Sequence, residues 1–213
     1  MLKTILIGTL IIACASVAAA QSDDYKRWEF FGGYSHNRID TGIGDNDADL
    51  DDFIDEREGF HGWNTSVTGN VSRHVGFKFD VSGHYKSRTL PIFSIQNAID
   101  INSSVYNFLG GAQLKNNSSE ATFKPFAHAL VGVAHARNRV NISQSGCVAI
   151  FPSPCPSPFT ESDTGLAGAV GGGLDIRAGN RLDIRVIQID YNPTRLFDST
   201  QHNFRIGVGL VFH

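Results

Sequence analysis

Hydrophobicity in this chain alternates residue by residue, and the same alternation returns in segment after segment. In HNFRIGVGLVF, residues 202–212, one face carries His202, Phe204, Ile206, Val208, Leu210 and Phe212, and the other carries Asn203, Arg205, Gly207, Gly209 and Val211. A period of two is the signature of an extended strand with unlike faces, whereas a helix repeats every 3.6 residues. Residues 76–86 set Phe77, Phe79, Val81, Gly83 and Tyr85 against Lys78, Asp80, Ser82, His84 and Lys86. Trp63, Val67 and Val71 oppose Asn64, Ser66, Thr68 and Asn70, and Tyr106, Phe108, Ala112 and Leu114 oppose Asn107, Leu109, Gly111 and Gln113. Leu166, Val170, Leu174 and Ile176 likewise oppose a glycine- and alanine-rich series that ends in Asp175 and Arg177.

Two segments are irregular. In RLDIRVIQIDY the apolar series runs through Leu182, Ile184 and Val186 and then changes parity to Ile187, Ile189 and Tyr191. A one-residue bulge at Val186 and Ile187 restores a single apolar face. In residues 123–137 the series Ala127, Ala129, Val131 and Val133 competes with Phe126, Leu130 and Ala134, which leaves the faces unassigned. With the aromatic segment WEFFGGYSHNR at 28–38 the strands number eight. The connections predicted between them, 39–59, 73–75, 89–103, 116–122, 140–162, 179–180 and 194–200, alternate long and short. A soluble sandwich has no reason for that rhythm. A membrane barrel, with long loops on one side and short turns on the other, has one.

A sheet can cross lipid only if it closes on itself, because lipid supplies no partners for an open edge. Its outer face must be apolar, and its inner face is free to be polar. Lys78, Asp80, His84, Lys86, Asp175, Arg177, Asp183, Arg185, Asp190 and Arg205 mix signs and suit pairing inside a closed lumen. The aromatics Trp28, Phe30, Tyr34, Trp63, Phe77, Tyr85, Tyr106, Tyr191, Phe204 and Phe212 suit the girdles at the two membrane interfaces. The mean hydropathy of −0.12 excludes a bundle of membrane helices, and it is the average that lipid-facing and lumen-facing residues give when they alternate. With 18 basic against 21 acidic residues the chain has no concentrated basic face, so nucleic acid is not an expected partner.

The single long apolar run, Thr4 to Ala20, follows Lys3 and ends in Ala18-Ala19-Ala20 before Gln21, the form of a secretory signal peptide over residues 1–20. A short lead, 21–27, precedes the barrel at 28–213. Alternatives for the N-terminus are a retained anchor or lipidation at Cys14. In the exported chain Cys147 and Cys155 form an even pair, which predicts a disulfide closing the tip CVAIFPSPC.

The segments WEFFGGYSHNR, FKPFAHALVGVAHAR, GLAGAVGGGLDIR and HNFRIGVGLVF give the chain a resemblance to the eight-stranded outer-membrane β-barrel family that includes the membrane domain of outer-membrane protein A. The resemblance implies an all-β, antiparallel, up-and-down transmembrane barrel in the cell outer membrane. It also implies contact with outer-membrane lipid and recognition of the C-terminal strand by the barrel-insertion machinery. The family's terminal aromatic is displaced by one position here, Phe212 being followed by His213.

Candidate sites are few. Asp45, Asp47, Asp49, Asp51 and Glu56 fall at positions 1, 3, 5, 7 and 12 of a calcium-loop spacing, but Leu50 stands where that loop needs glycine; a solvated acidic loop is the alternative. His36, His61, His74, His84, His128, His135, His202 and His213 show no ligand spacing, and no cofactor is expected. Eight strands leave a lumen just wide enough for its own side chains. The leading reading is therefore a non-enzymatic barrel with a structural or surface-interaction role, long loops for an extracellular partner and at most minor porin-like leakage. The alternatives are a lipid A deacylase, for which the His-x-Ser spacing is missing after both His128 and His135, and a soluble periplasmic ligand-binding barrel.

Overall fold

The computed structural model describes residues 25–40, 57–92, 97–118, 120–143 and 158–213. Eight strands follow one another: β1 (Trp28–Asp40), β2 (Arg57–Asn70), β3 (Val75–Ile92), β4 (Asn97–Lys115), β5 (Phe123–Ser143), β6 (Phe159–Arg177), β7 (Leu182–Leu196) and β8 (Ser199–Phe212). Each pairs antiparallel with its neighbours, and β8 returns to β1 from Phe30↔Phe212 to Arg38↔Phe204, closing the barrel. Ahead of β1, Tyr25 makes an isolated bridge to Ser118. Among the described residues no helix is long and apolar enough to cross a membrane.

The alternation sorts as the sequence predicts. Trp28, Phe30, Phe77, Phe108, Val131, Leu166, Val170, Ile206 and Leu210 are exposed on the outer wall, where a water-soluble protein would not leave so continuous an apolar surface. From His202 to Phe212 on β8, ten steps of about 3.3 Å at a tilt of about 40° span about 25 Å, the height of an apolar membrane band. Two aromatic tiers bound it. Trp28, Phe30, Phe77, Phe123 and Phe212 lie toward the short-turn end. Tyr34, Trp63, Tyr85, Tyr106 and Tyr191 lie toward the long-loop end, where Tyr85 meets Tyr106 edge to face at 5.8 Å. The tyrosine hydroxyls of this second tier have polar company: Tyr34 with His61 Nδ1 and Tyr191 with His202 Nδ1, both at 2.5 Å.

The bulge is present. Between Arg185↔Gly209 and Gln188↔Gly207 the register gains a residue on β7, and both Val186 and Ile187 face outward. The inward series therefore passes from Asp183 and Arg185 to Gln188, Asp190 and Asn192 without breaking the apolar wall. The structure also assigns β5: Lys124, Phe126, His128, Leu130, Ala134 and Ala136 are buried, while Val131 and Val133 face out.

The predicted rhythm of connections needs correction. β3 and β4 are separated by residues 93–96 and not by 89–103, and the β7–β8 connection is Phe197–Asp198 and not 194–200. The outer ends of these hairpins continue as paired strands without apolar alternation, since beyond the lipid both faces are free to be polar. Cross-strand hydrogen bonds replace it, Ser87 Oγ donating to Asn102 Oδ1 at 2.7 Å and Thr89 Oγ1 to Asp100 Oδ1 at 2.6 Å.

Candidate functional site

The lumen holds the chemistry of this molecule. Among the described residues its buried charges are five cations, Lys78, Lys115, Lys124, Arg185 and Arg205, and five carboxylates, Glu29, Asp80, Asp175, Asp183 and Asp190. An ion taken out of water costs several kcal/mol unless its partners are well placed, so equal numbers of each sign are what a sealed interior needs.

Eight of these ten groups are joined in one chain of contacts. Near the β1 start, Lys115 Nζ donates to Glu29 Oε2 at 2.7 Å and lies 2.8 Å from Asp175 Oδ2. Asn70 and Asn117 also donate to Glu29. Asp175 receives two bonds from the Arg185 guanidinium, at 2.8 and 3.0 Å, the planar fork matching the carboxylate. Arg185 donates onward to Gln188, Gln188 to Asp190 at 2.6 Å, and Asp190 accepts from Arg205 Nη2 at 2.7 Å. Arg205 Nη1 reaches across the barrel to Asp80 at 2.8 Å, and Asp80 accepts from Asn64 at 2.9 Å. His128 Nε2 lies 3.0 Å from Asp190, and Lys78 3.7 Å from Asp80. A separate cluster at the β7 start joins Lys124 and His213 to Asp183, each at 2.8 Å.

Aromatic rings and glycines make this packing fit. The Arg185 guanidinium lies between Phe31 and Phe126, 4.2 and 4.1 Å from their centroids, which shields it while keeping it attracted to both π faces. The inward glycines give space to larger groups. A Cβ at Gly173 would stand 2.8 Å from the Phe126 ring, and one at Gly171 2.3 Å from Asp190 Oδ1.

Most of the predicted lumen charges are brought together: Lys78, Asp80, His84, Asp175, Asp183, Arg185, Asp190 and Arg205 are all buried inside. Two are corrected. Lys86 keeps the inward parity but sits at the outer rim, a quarter exposed and 3.1 Å from Glu58, and Arg177 is exposed at the opposite rim, where its N–H donates to the Thr122 carbonyl. Arg177 ends β6 and Lys86 lies in the outer part of β3, and at both places water replaces the need for a buried partner. Sequence reasoning missed Glu29, Lys115 and Lys124. Glu29 and Lys115 were readable from parity, since they share faces with Ser35 and Asn37 and with Asn107 and Gln113; Lys124 was hidden by the ambiguous β5. The candidate calcium residues Asp45, Asp47, Asp49, Asp51 and Glu56, the pair Cys147 and Cys155, and the segment 1–20 lie outside the described residues. No cluster of three metal-ligating side chains occurs among the described residues.

Above the charges the lumen turns apolar. Ile39, Phe60, Val105, Leu109, Leu130, Ala134, Ala136, Ala167, Ala169 and Leu196 pack into one buried layer. Beyond it the barrel opens at the long-loop end into a cavity of about 640 Å³.

Comparison with solved structures finds the same fold. The attachment invasion locus protein Ail of Yersinia pestis, crystallised with the heparin analogue sucrose octasulfate, superposes with a TM-score of 0.54 at 17% identity, over 87% of this chain and 97% of Ail. Neisserial surface protein A gives a TM-score of 0.53 at 10% identity, over 88% of this chain and 97% of its own. A search of curated proteins by sequence finds no match. From residue 7 to residue 212 the sequence matches the family described as Outer membrane protein beta-barrel domain, and with its closed eight-stranded wall and apolar exterior the chain belongs to that family, as a β-barrel of the cell outer membrane.

Proposed function

We propose that this barrel is non-enzymatic and works as a structural and surface-interaction protein of the outer membrane, with its lumen closed to steady ion flow. The observation that carries this reading is the continuous chain of contacts from Glu29 through Asp175, Arg185, Asp190 and Arg205 to Asp80, which fills the inner section with compensated charge. Opening a water path means separating buried pairs that are packed against one another and hydrogen-bonded on several sides. Outer-membrane lipid contacts the wall, the β8 strand ending in Phe212 engages the insertion machinery, and the segments that link β1 to β2 and β5 to β6 meet extracellular partners. Planar-bilayer recording on the refolded barrel tests this: rare, small openings are expected, and steady high-conductance channels would contradict it.

Three sequence readings accompany this proposal. Residues 1–20 are a cleaved signal peptide, tested by N-terminal sequencing of the protein taken from the outer membrane. Cys147 and Cys155 are disulfide-bonded, which fails if non-reducing mass spectrometry finds two free thiols. The acidic run from Asp45 to Glu56 is a solvated loop, a reading that millimolar-range calcium binding in calorimetry would overturn.

A further inference from the structure

The polar plug stops short of the outer end of the barrel, and what lies above it is unlike the rest of the lumen. The cavity there, about 640 Å³, lies within the size range of sites that enclose small molecules. Its floor is apolar, with Ile39, Phe60, Val105 and Leu196 buried beneath it; Ser103, Asn138, Thr200 and Gln201 also line it, and Phe159 and Phe197 expose their rings at its edge. A lumen serving only as a water-filled or salt-bridged plug has no use for this layer, because the outer ends of the strands are beyond the lipid and free to be polar.

The charged groups bordering the cavity are unequal in what they can offer a ligand. Glu58 is taken up by Lys86 at 3.1 Å and by Arg88. Asp163, beside the cavity, spends one oxygen on the Thr164 N–H and the other on the Phe197 N–H, at 2.8 and 2.5 Å. Glu161, which lines the cavity itself, has no ion-pair partner among the described residues. The Phe197 contact has a purpose visible in the backbone. Phe197 and Asp198 form the two-residue β7–β8 turn with φ of 51° and 58°, a conformation that suits Asn-Gly and costs a bulky L residue about 1 kcal/mol or more. Asp163 pins that turn, which holds the Phe197 ring at the edge of the cavity.

We propose that the outer mouth of the barrel is a binding site for a compact apolar amine, its hydrocarbon body on the Ile39, Phe60, Val105 and Leu196 walls and its ammonium group against Glu161. The exposed rings of Phe159 and Phe197 favour the same charge, since the face of an aromatic ring attracts cations. The lining carries Glu58 and Glu161 and no cation, and the Lys86 ammonium that lies 5.7 Å over the Phe60 ring is paired with Glu58, which disfavours fatty acids and phosphate esters. This site goes beyond the surface role proposed above and is read by a different signal: silent bilayers with no amine binding leave the plug intact and remove only the site.

The test is calorimetric titration of the full chain in lipid nanodiscs with adamantan-1-amine, with neutral adamantan-1-ol as the partner probe and empty nanodiscs subtracted. Saturable one-to-one binding of the amine is expected. Glu161→Gln should weaken the amine about threefold to fivefold, the worth of one exposed charge contact, and leave the alcohol unchanged. Val140→Trp, which fills the cavity from its wall, should weaken both probes while the folded barrel is confirmed by its heat-dependent gel mobility. No saturable binding to the wild-type chain overturns the proposal, as it would if the chain's own connecting segments occupied the mouth. Equal binding of amine and alcohol, or no effect of Glu161→Gln, overturns the assignment to amines.

Discussion

Replacing Arg205 with methionine puts the plug to a quantitative test. The guanidinium is fully buried and donates to Asp190 at 2.9 and 2.7 Å, to Asp80 at 2.8 Å and to Ser82 at 3.1 Å, so it tethers β8 to β7 on one side and to β3 across the lumen. Methionine fills similar volume but strands two carboxylates away from water. Asp80 retains Asn64 and the more distant Lys78, and Asp190 retains Gln188 and His128, so neither is wholly abandoned. A broken buried pair costs about 3–5 kcal/mol, and with these remaining partners the expected loss for R205M is near the middle of that range, about 4 kcal/mol. Arg205→Lys should lose less, about 1–2 kcal/mol, because one ammonium cannot span both carboxylates. The decisive variant is the triple D80N/D190N/R205M. If the cost comes from stranded charge, removing both charges should recover at least half of it. Urea titration in lipid vesicles, followed by the emission of the lipid-facing Trp28 and Trp63, measures all four proteins. A loss below about 1 kcal/mol for R205M, or a triple variant no more stable than R205M, would refute the reasoning.

Other perturbations probe other parts of the account. Deleting Val186 removes the bulge yet leaves Arg185, Ile187 and Gln188 in proper alternation, so the protein should still form a heat-modifiable barrel; deleting Val208 from the regular β8 turns Arg205 toward lipid and should abolish folding. Gly171→Ala places a methyl against Asp190 Oδ1 and the Ile189 carbonyl and should destabilise by about 1–3 kcal/mol, seen as a lower urea midpoint. Asp198→Gly relieves the left-handed backbone at φ 58° and should stabilise by about 0.5–1 kcal/mol, seen as a higher midpoint, the opposite sign.

How much of this was legible in the sequence depends on where lipid imposed a rule. Between the two aromatic tiers each residue must choose lipid or lumen, and there the alternation located six strands with both their faces and even the bulge at Val186 and Ile187. Residues 123–137 resisted because the lumen itself changes character. Phe126, Leu130, Ala134 and Ala136 are apolar yet point inward, so both faces of β5 read as greasy. The outer ends of β3, β4, β7 and β8 resisted for the opposite reason, since nothing there requires an apolar face and the strands hid as loops. Composition could not locate the mouth cavity either, because its walls come from strands distant in sequence, Ile39 and Phe60 near the start and Leu196 near the end.

The central claim is that the apolar series faces lipid and the polar series faces the lumen. It is tested most directly by single nitroxide labels along β8 in vesicles, at Asn203, Ile206, Gly207, Val208 and Leu210, with collision by dissolved oxygen as the readout. Labels at Ile206, Val208 and Leu210 should collide freely with oxygen concentrated in the bilayer, while those at Asn203 and Gly207 should be shielded. A reversed pattern, or exposure without a period of two, would contradict a barrel that spans the membrane with a closed polar interior.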